Sequence, residues 1–145
     1  MQTKAFDAQD ALVTALQGAP GLAGWKVDYG LPARREQLHV WVDEQVSEWT
    51  QEQRTTGLVS KAESFRLHVY AYVRRTGASA LDVREECKAA GAIIEQVIAA
   101  APFLGGVALM AQTVGGEYDG AFADLEGRAL EGVLHMIVAT QTFLG

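Results

Sequence analysis

The chain has 145 residues, of which 49% are hydrophobic and 21% charged, and its formal net charge is −6. Such a length and composition predict a single folded domain over residues 1–145 and exclude a disordered chain. The acidic charge argues against nucleic-acid binding by counterion release, because that mechanism needs clustered Lys and Arg. The single cysteine, Cys87, excludes an internal disulfide and a cysteine-based zinc cluster, and it is typical of a reducing compartment.

No part of the sequence has the pattern of a membrane segment. The first residues lack the apolar region of a signal peptide, so we expect none. The longest apolar stretch, Ala89 to Ala111, contains Glu95, Pro102 and two consecutive glycines. These interruptions argue against a membrane-spanning helix, and we expect no membrane partner.

The first part of the chain is predicted to form a helix and then short strands. Apolar residues at helical spacing predict a helix from about Thr3 to Gln17, which the glycines and proline of residues 18–24 end. Alternating residues predict two strands, over residues 25–29 and 37–43. The segment between them, residues 30–36, is predicted to be an exposed loop.

A polar segment over residues 44–57 is predicted as a possible arm. Residues 44–53 contain Val46 and Trp49 but no Gly or Pro, so they are compatible with either a continuing strand or an irregular arm. Residues 54–57 are predicted to form a turn.

The stretch from Glu63 to Arg75 has the clearest pattern in the chain. Its residues alternate in character over about ten positions, which predicts a long β-strand. One face is aliphatic or aromatic and is predicted to belong to the core. The other face is polar and aromatic, and we expect it to contact another subunit or partner. This second face comprises Arg66, His68, Tyr70, Tyr72 and Arg74.

A second helix is predicted over residues 80–100. Ser79 as the N-cap, with Asp82 three residues later, gives a carboxylate variant of the capping box. Apolar residues recur at helical spacing along one side, and Pro102 ends the helix. Cys87 lies on this apolar side, so we expect a buried core residue rather than a reactive thiol.

The last part of the chain is predicted to be mostly strand. Residues 107–114 are predicted as a strand, residues 115–121 as a turn or flexible loop, and residues 122–127 are ambiguous. Residues 128–143 are apolar on both sides. That pattern predicts a central strand, or one that a neighbouring subunit covers on its second face.

Two helices among strand-rich segments predict an α+β fold, with a mostly antiparallel β-sheet and two helices packed on one face. The other sheet face then needs a partner. An exposed face carrying Trp41, Tyr70, Tyr72 and Met136 would be an unusually large aromatic patch for a monomer.

The residues show no pattern that points to catalysis, a cofactor or a metal ion. The histidines His39, His68 and His135 all lie in predicted strands, but their spacing does not indicate a metal site. We therefore expect structural or interface roles for them. Neither a nucleophile elbow nor a phosphate-binding loop occurs in the sequence.

Two basic pairs stand out in this acidic chain. They are Arg34–Arg35 and Arg74–Arg75. Either they are ordinary surface charges or they contact an acidic neighbour, and the residues leave both alternatives open.

The order and character of these elements resemble the tail terminator proteins of long-tailed bacteriophages. The residues that carry this resemblance are the N-terminal helix, Trp25 to Tyr29, Leu38 to Asp43, Ser64 to Val73, the helix after Ser79, and Gly132 to Ala139. They span nearly the whole chain without a diagnostic motif. The resemblance implies a structural virion protein with an α+β fold, which forms a homo-oligomeric ring, typically a hexamer. It also implies no enzymatic activity, cofactor or metal.

The resemblance further implies partners and a location. Such a ring caps the tail tube protein, stops its polymerisation and meets a head-closure or connector protein, in a virion assembled in the host cytoplasm. DNA would pass through the lumen without specific binding, and an acidic lumen would suit this because like charges repel. The arm at residues 44–54 and the loop at residues 115–120 are candidates for axial contacts. We expect subunit or partner contacts at Arg34, Arg35, Trp41, Trp49, Arg66, His68, Tyr70, Tyr72, Arg74 and Tyr118.

Two other interpretations stay open. A tail tube or head-closure subunit would share a related fold, and a tube subunit would polymerise into long cylinders. A small α+β enzyme or ligand-binding domain would need a concave pocket with converging polar groups. His68 with Tyr70 or Tyr72 is the best starting point for such a pocket.

Overall fold

A computed structural model describes residues 2–53, 61–123 and 127–144 of the protein. These residues contain two α-helices and five β-strands, and a single 3-10 turn follows each helix. The elements are α1 (Ala5–Gln17), β1 (Lys26–Tyr29), β2 (Leu38–Gln53), β3 (Lys61–Thr76), α2 (Ala80–Ala100), β4 (Met110–Ala123) and β5 (Ala129–Leu144).

All five strands form one sheet in the order β1-β2-β3-β5-β4. Neighbouring strands are antiparallel, except that β1 runs parallel to β2. On one face of the sheet, α1 contacts β1 and β2, while α2 contacts β3, β4 and β5. The predicted α+β fold is therefore confirmed. The last long strand lies between β3 and β4, which confirms its central position.

The two faces of β3 differ as the alternation of its residues predicts. The aliphatic face packs beneath the helices and is buried. Burial of an aliphatic or aromatic side chain of this size contributes about 1.5–3 kcal/mol. The buried apolar residues on this face of β3 are Phe65, Leu67, Val69, Ala71 and Val73.

Helix α2 begins and ends where the sequence predicts. The Asp82 backbone N–H donates to the Ser79 hydroxyl at 3.2 Å, and the Ser79 N–H donates to the Asp82 carboxylate at 3.0 Å. Cys87 is buried, and burial raises the pKa of its thiol to about 11, so the thiol is unreactive at neutral pH. In the described part of the chain, neither α2 nor any other helix is long and apolar enough to cross a membrane.

Two buried glycines allow α2 to pack closely on β5. A Cβ atom on Gly91 of the helix would lie 2.6 Å from the Leu134 side chain, and one on Gly132 of the strand would lie 2.6 Å from Val83. Carbon atoms cannot approach that closely, so a larger residue at either position would have to displace the Leu134 or Val83 side chain or move the helix from the sheet.

Glu63 is fully buried on the helix side of β3. Its carboxylate accepts hydrogen bonds of 2.6 to 3.0 Å from the side chains of Thr3, Trp49, Gln51 and Thr142 and from the backbone N–H of Lys4. Burial raises the pKa of Glu63, but these hydrogen bonds outweigh that effect and lower the pKa from 4.5 to about 2. This Glu63 cluster ties the start of α1, β2 and β5 to β3.

Residues 44–53 continue strand β2 rather than forming an irregular arm. The strand slips against β3 at two bulges, one between Val42 and Val46 and one between Ser47 and Thr50. In the second bulge Glu48 adopts a left-handed φ of 48°. These bulges break the alternation that would have identified the strand. The predicted turn at residues 54–57 lies outside the described residues.

The predicted turn or flexible loop at residues 115–121 is wrong, because these residues lie within β4. The strand predicted at residues 107–114 begins only at Met110. Glycine is required at position 116 by packing rather than by a turn, since a Cβ atom there would collide with the carbonyl oxygen of His135. Of the ambiguous segment, residues 122 and 123 belong to β4 and residues 124–126 are not described.

Candidate functional site

The surface of the sheet opposite α1 and α2, here called the helix-free face, carries most of the predicted contact residues. Cross-strand pairing places one residue from each strand in a row on this face. The row runs Asp28, Trp41, Tyr70, His135 and Glu117. The polar and aromatic face of β3 lies on this side, as its alternation predicts. It presents Arg66, His68, Tyr70, Tyr72 and Arg74.

Three rings form a stack in the middle of this row. The centroids of Trp41 and Tyr70 are 5.3 Å apart with an interplanar angle of 10°, and those of Tyr70 and His135 are 4.4 Å apart with an angle of 5°. Trp41 is only 3% exposed, and Tyr70 and His135 are half-buried. The predicted aromatic patch is smaller than expected, and Met136 does not belong to it because its side chain is buried on the helix side.

A chain of hydrogen bonds, here called the Ser47–His68–His135 relay, runs beside the stack. Ser47 Oγ lies 2.6 Å from His68 Nε2, and His68 Nδ1 lies 2.7 Å from His135 Nε2. When His68 carries its proton on Nδ1, that N–H donates to His135 and the Ser47 hydroxyl donates to His68. Burial lowers the pKa of His68 below 6.5, and the neighbouring His135 lowers it further.

Arg35 covers one side of the stack from the loop between β1 and β2. Its guanidinium carbon lies 5.8 Å from the Trp41 ring centre and 5.2 Å from that of Tyr72, which are cation–π distances. Tyr72 is 3% exposed, and its hydroxyl donates to Glu131 at 2.7 Å. Burial and this hydrogen bond raise the pKa of Tyr72 to about 12. Arg35, Trp41 and Tyr72 are therefore engaged within their own chain.

Three further arginines belong to the predicted contact residues. Arg66 forms an ion pair with Glu48 at 2.8 Å, and because both side chains are exposed this pair contributes at most about 1 kcal/mol. Arg74 is half-buried on the helix-free face, and Arg34 is exposed in the loop that also carries Arg35.

Trp49 and Tyr118 do not lie on the helix-free face. Trp49 donates to Glu63 at 2.8 Å and packs edge-to-face on Phe6, with centroids 5.9 Å apart. Tyr118 of β4 is paired with Leu134 of β5, and its side chain faces α2. The structure thus brings together six of the predicted contact residues on one face and leaves these two on the other.

Sequence reasoning missed several polar partners in this region. His39 is 1% exposed; its Nδ1 accepts from the Glu36 backbone N–H at 2.9 Å, and its Nε2 donates to Asp28 at 2.7 Å. Alternation in the two neighbouring strands predicts that His39 shares a face with Tyr72, and the structure pairs them. The sequence gives no comparable indication for Ser47, because a bulge between Val42 and Val46 interrupts the alternation before it.

On this surface Ser47, His68, His135 and Tyr72 are hydrogen-bonded to other side chains of the chain, whereas the buried Trp41 Nε1 has no hydrogen-bond partner among the described residues. In the described residues, no group of three or more His, Cys, Asp or Glu side chains is placed to hold a metal ion. No protein family model matches the chain, and no curated protein matches it. The resemblance to tail terminators therefore remains a prediction.

Proposed function

We propose that this chain is a structural virion protein of the tail terminator type, whose copies form a ring that caps the tail tube. The ring stops tube polymerisation and joins the tail to a head-closure or connector protein. Its typical state is a hexamer in the neck of a virion, assembled in the host cytoplasm. DNA passes through the lumen without specific binding, and the protein has no catalytic role.

One observation carries this proposal: both helices lie on the same side of the sheet, so among the described residues no helix covers the stacked and hydrogen-bonded residues of the opposite face. Side chains that are already held in place lose little conformational freedom when a partner binds. Aromatic residues and arginine are also the types enriched in protein interfaces. The helix-free face suits a contact with a neighbouring subunit or a surface lining the lumen.

The experiment is a mass measurement of the purified protein by multi-angle light scattering, followed by negative-stain imaging. We expect closed rings of uniform size. Long cylinders would instead identify a tail tube subunit. A stable monomer at all concentrations would contradict a ring-forming protein.

A second candidate function is ester hydrolysis, which the Ser47–His68–His135 relay favours. A serine hydroxyl beside a histidine whose other nitrogen contacts a third group has the order of a nucleophile, a base and an orienting residue. In this alternative Ser47 Oγ attacks the ester carbonyl and His68 takes its proton. His68 then gives that proton to the departing alcohol, and water releases the acid from Ser47.

A fluorophosphonate probe, which labels activated serines, separates the two functions. The structural proposal predicts no labelling of Ser47, and His68→Ala should then alter assembly rather than any activity. Labelling that disappears in Ser47→Ala, in a variant that still assembles, would favour the hydrolase.

A further inference from the structure

The sheet ends in two unlike edges. Strand β4 forms one edge over 14 residues, whereas β1 forms the other over only 4. The outward N–H and C=O groups of an edge strand have no partner in their own sheet, so they can pair with a strand of another molecule. At the β1 edge one of these groups is already bonded, because the Val27 carbonyl accepts from the Gln17 side chain at 3.1 Å. The remaining outward groups of each edge are candidates for contact with a further copy of this chain.

The β4 edge is acidic. Residues 110–123 include two acidic side chains and no basic one. Glu117 and Asp119 are both exposed, and their pairing with β5 places both on the helix-free face. Val114 and Phe122 add exposed apolar surface on either side of them.

The β1 edge carries a small excess of basic side chains. Residues 24–37 include three basic and two acidic side chains. Lys26 is exposed, and its pairing with His39 places it on the helix-free face, the same face as the acidic pair of β4. Asp28, the acidic residue of β1, already accepts a hydrogen bond from His39. Arg34 adds an exposed positive charge in the loop that follows.

Strand directions are compatible with pairing between the two edges. Strand β4 is antiparallel to β5, β5 to β3 and β3 to β2, and β1 is parallel to β2. Thus β1 and β4 run in opposite directions. If copies are related by rotation about an axis along the strands, β4 of one copy meets β1 of the next in antiparallel orientation, with the helices of both copies on the same side.

We propose that β4 of one copy pairs with β1 of the next, so that the sheet continues from subunit to subunit around the ring. This inference rests on the proposed ring-forming function and names the surfaces that close the ring. Glu117 and Asp119 then face Lys26 across the junction, an arrangement in which opposite charges attract. Pairing of β4 with a second β4 would instead place carboxylates against each other, which disfavours a two-fold dimer.

A groove on the helix side of β4 provides the second part of this contact. It has a volume of about 610 Å³, lies between α2 and β4, and is lined by Gly91, Ala92, Gly116, Leu134 and Met136 among others. Tyr29 of β1 is 50% exposed and also lies on the helix side, because it follows the buried Val27 by two residues. Within its own chain the Tyr29 hydroxyl lies 3.5 Å from Gln9 Oε1. In the proposed junction this ring contacts the groove of the neighbouring copy beside Gly116.

The helices leave enough space for such a continued sheet. Helix α2 packs over β3, β4 and β5, and α1 packs over β1 and β2. At about 4.8 Å between strands, α2 of one copy and α1 of the next would lie at least about 10 Å apart. Packed helices need 8 to 10 Å, so the two helices could sit side by side without a clash.

Charge reversal tests the junction. Glu117→Lys and Lys26→Glu, each alone, should abolish ring formation or shift it to at least about tenfold higher protein concentration, as measured by light scattering. The double variant restores opposite charges at positions 26 and 117, with Asp119 unchanged, and should recover assembly relative to either single variant. Glu52→Lys, an equal change of charge on an exposed residue of β2, is the control and should assemble as the unmodified protein does.

Cross-linking tests the geometry directly. In the double variant Lys26→Cys, Asp119→Cys, a short bismaleimide should give a ladder of covalent oligomers that ends at the ring size. Asp119→Cys alone should give no cross-linked dimer, whereas a two-fold β4–β4 contact would give one. Native Cys87 is buried with a pKa of about 11 and need not be replaced.

The outcomes distinguish the junction from the ring itself. Rings that persist unchanged in both charge-reversed variants and yield no ladder would overturn the β4–β1 junction but leave the ring-forming function standing. A monomeric unmodified protein would overturn both. Loss of assembly in each single variant, with recovery in the double variant, supports the junction.

Discussion

Strand β3 carries two polar clusters on opposite faces, and the polar groups of the two clusters are hydrogen-bonded in different ways. On the helix side, the Glu63 cluster surrounds one carboxylate with donors from three other parts of the chain. On the helix-free face, His68 bonds to Ser47 and His135 through nitrogens whose donor and acceptor roles depend on protonation. The first arrangement is complete within the chain and serves stability. The second lies at the surface, where it can serve a contact.

The largest effect is expected from Glu63→Gln. The amide keeps the size of the side chain but places an NH₂ group against donors, so buried N–H and O–H groups lose their acceptor. We expect the free energy of unfolding to fall by about 3 kcal/mol or more, measured by urea denaturation. Glu52→Gln, an exposed change of the same type, should stay within about 0.5 kcal/mol. Equal urea midpoints for the two variants would show that the carboxylate is not the anchor we describe.

Lowering the pH should remove the stabilisation by the Glu63 cluster without a mutation. Because the pKa of Glu63 is lowered from 4.5 to about 2 in the folded state, the unfolded chain binds this proton first as the pH falls. The stabilisation is present above pH 4.5 and is lost progressively between pH 4.5 and about 2, by about 3 kcal/mol in total. Urea titrations across this range should show the loss in the unmodified protein but a flatter profile in Glu63→Gln. Parallel profiles would assign the acid sensitivity to other carboxylates.

The Ser47–His68–His135 relay should also make the free energy of unfolding depend on pH, at higher pH than Glu63 does and more weakly. Burial and His135 lower the pKa of His68 below 6.5, Arg66 acts in the same direction, and Asp43 opposes them. The unfolded chain therefore binds a proton at His68 before the folded chain does, so stability should decrease as the pH falls below 6.5. His68→Gln should remove this part of the pH dependence. If the free energy of unfolding changes equally between pH 6.5 and 5 in the unmodified protein and in His68→Gln, His68 is not the group that titrates.

Local signals in the sequence were sufficient for much of the fold. The capping box at Ser79 and Asp82 and the apolar side of α2 depend on residues three or four positions apart, so the helix could be predicted with its ends. The alternation of β3 likewise predicted which of its side chains face the helices. On this basis the five predicted contact residues of β3 were assigned to one face.

Other features depend on contacts between distant residues, which the sequence pattern does not reveal. Thr3 and Thr142 reach Glu63 from 60 and 79 residues away, so the cluster has no local signature. Gly116 looks like a turn residue, yet the His135 carbonyl on the neighbouring strand is what requires it. The bulges of β2 shift Ser47 relative to the alternation, so its contact with His68 could not be predicted.

The smallest effect on stability is expected from Tyr70→Phe. This variant tests most directly whether the helix-free face, unlike the Glu63 cluster, serves a contact with a partner. The phenyl ring keeps both stacking contacts, with Trp41 and with His135. The free energy of unfolding, measured by urea denaturation, should therefore change by less than about 0.5 kcal/mol. Tyr70→Leu removes the stacking and should cost about 1–2 kcal/mol. If the helix-free face meets a partner, loss of the half-buried Tyr70 hydroxyl should weaken assembly or tube capping while stability stays constant, as followed by light scattering and imaging. If both variants change assembly only in proportion to their loss of stability, the stack acts as a structural element, as the Glu63 cluster does, and the partner contact lies elsewhere on the molecule.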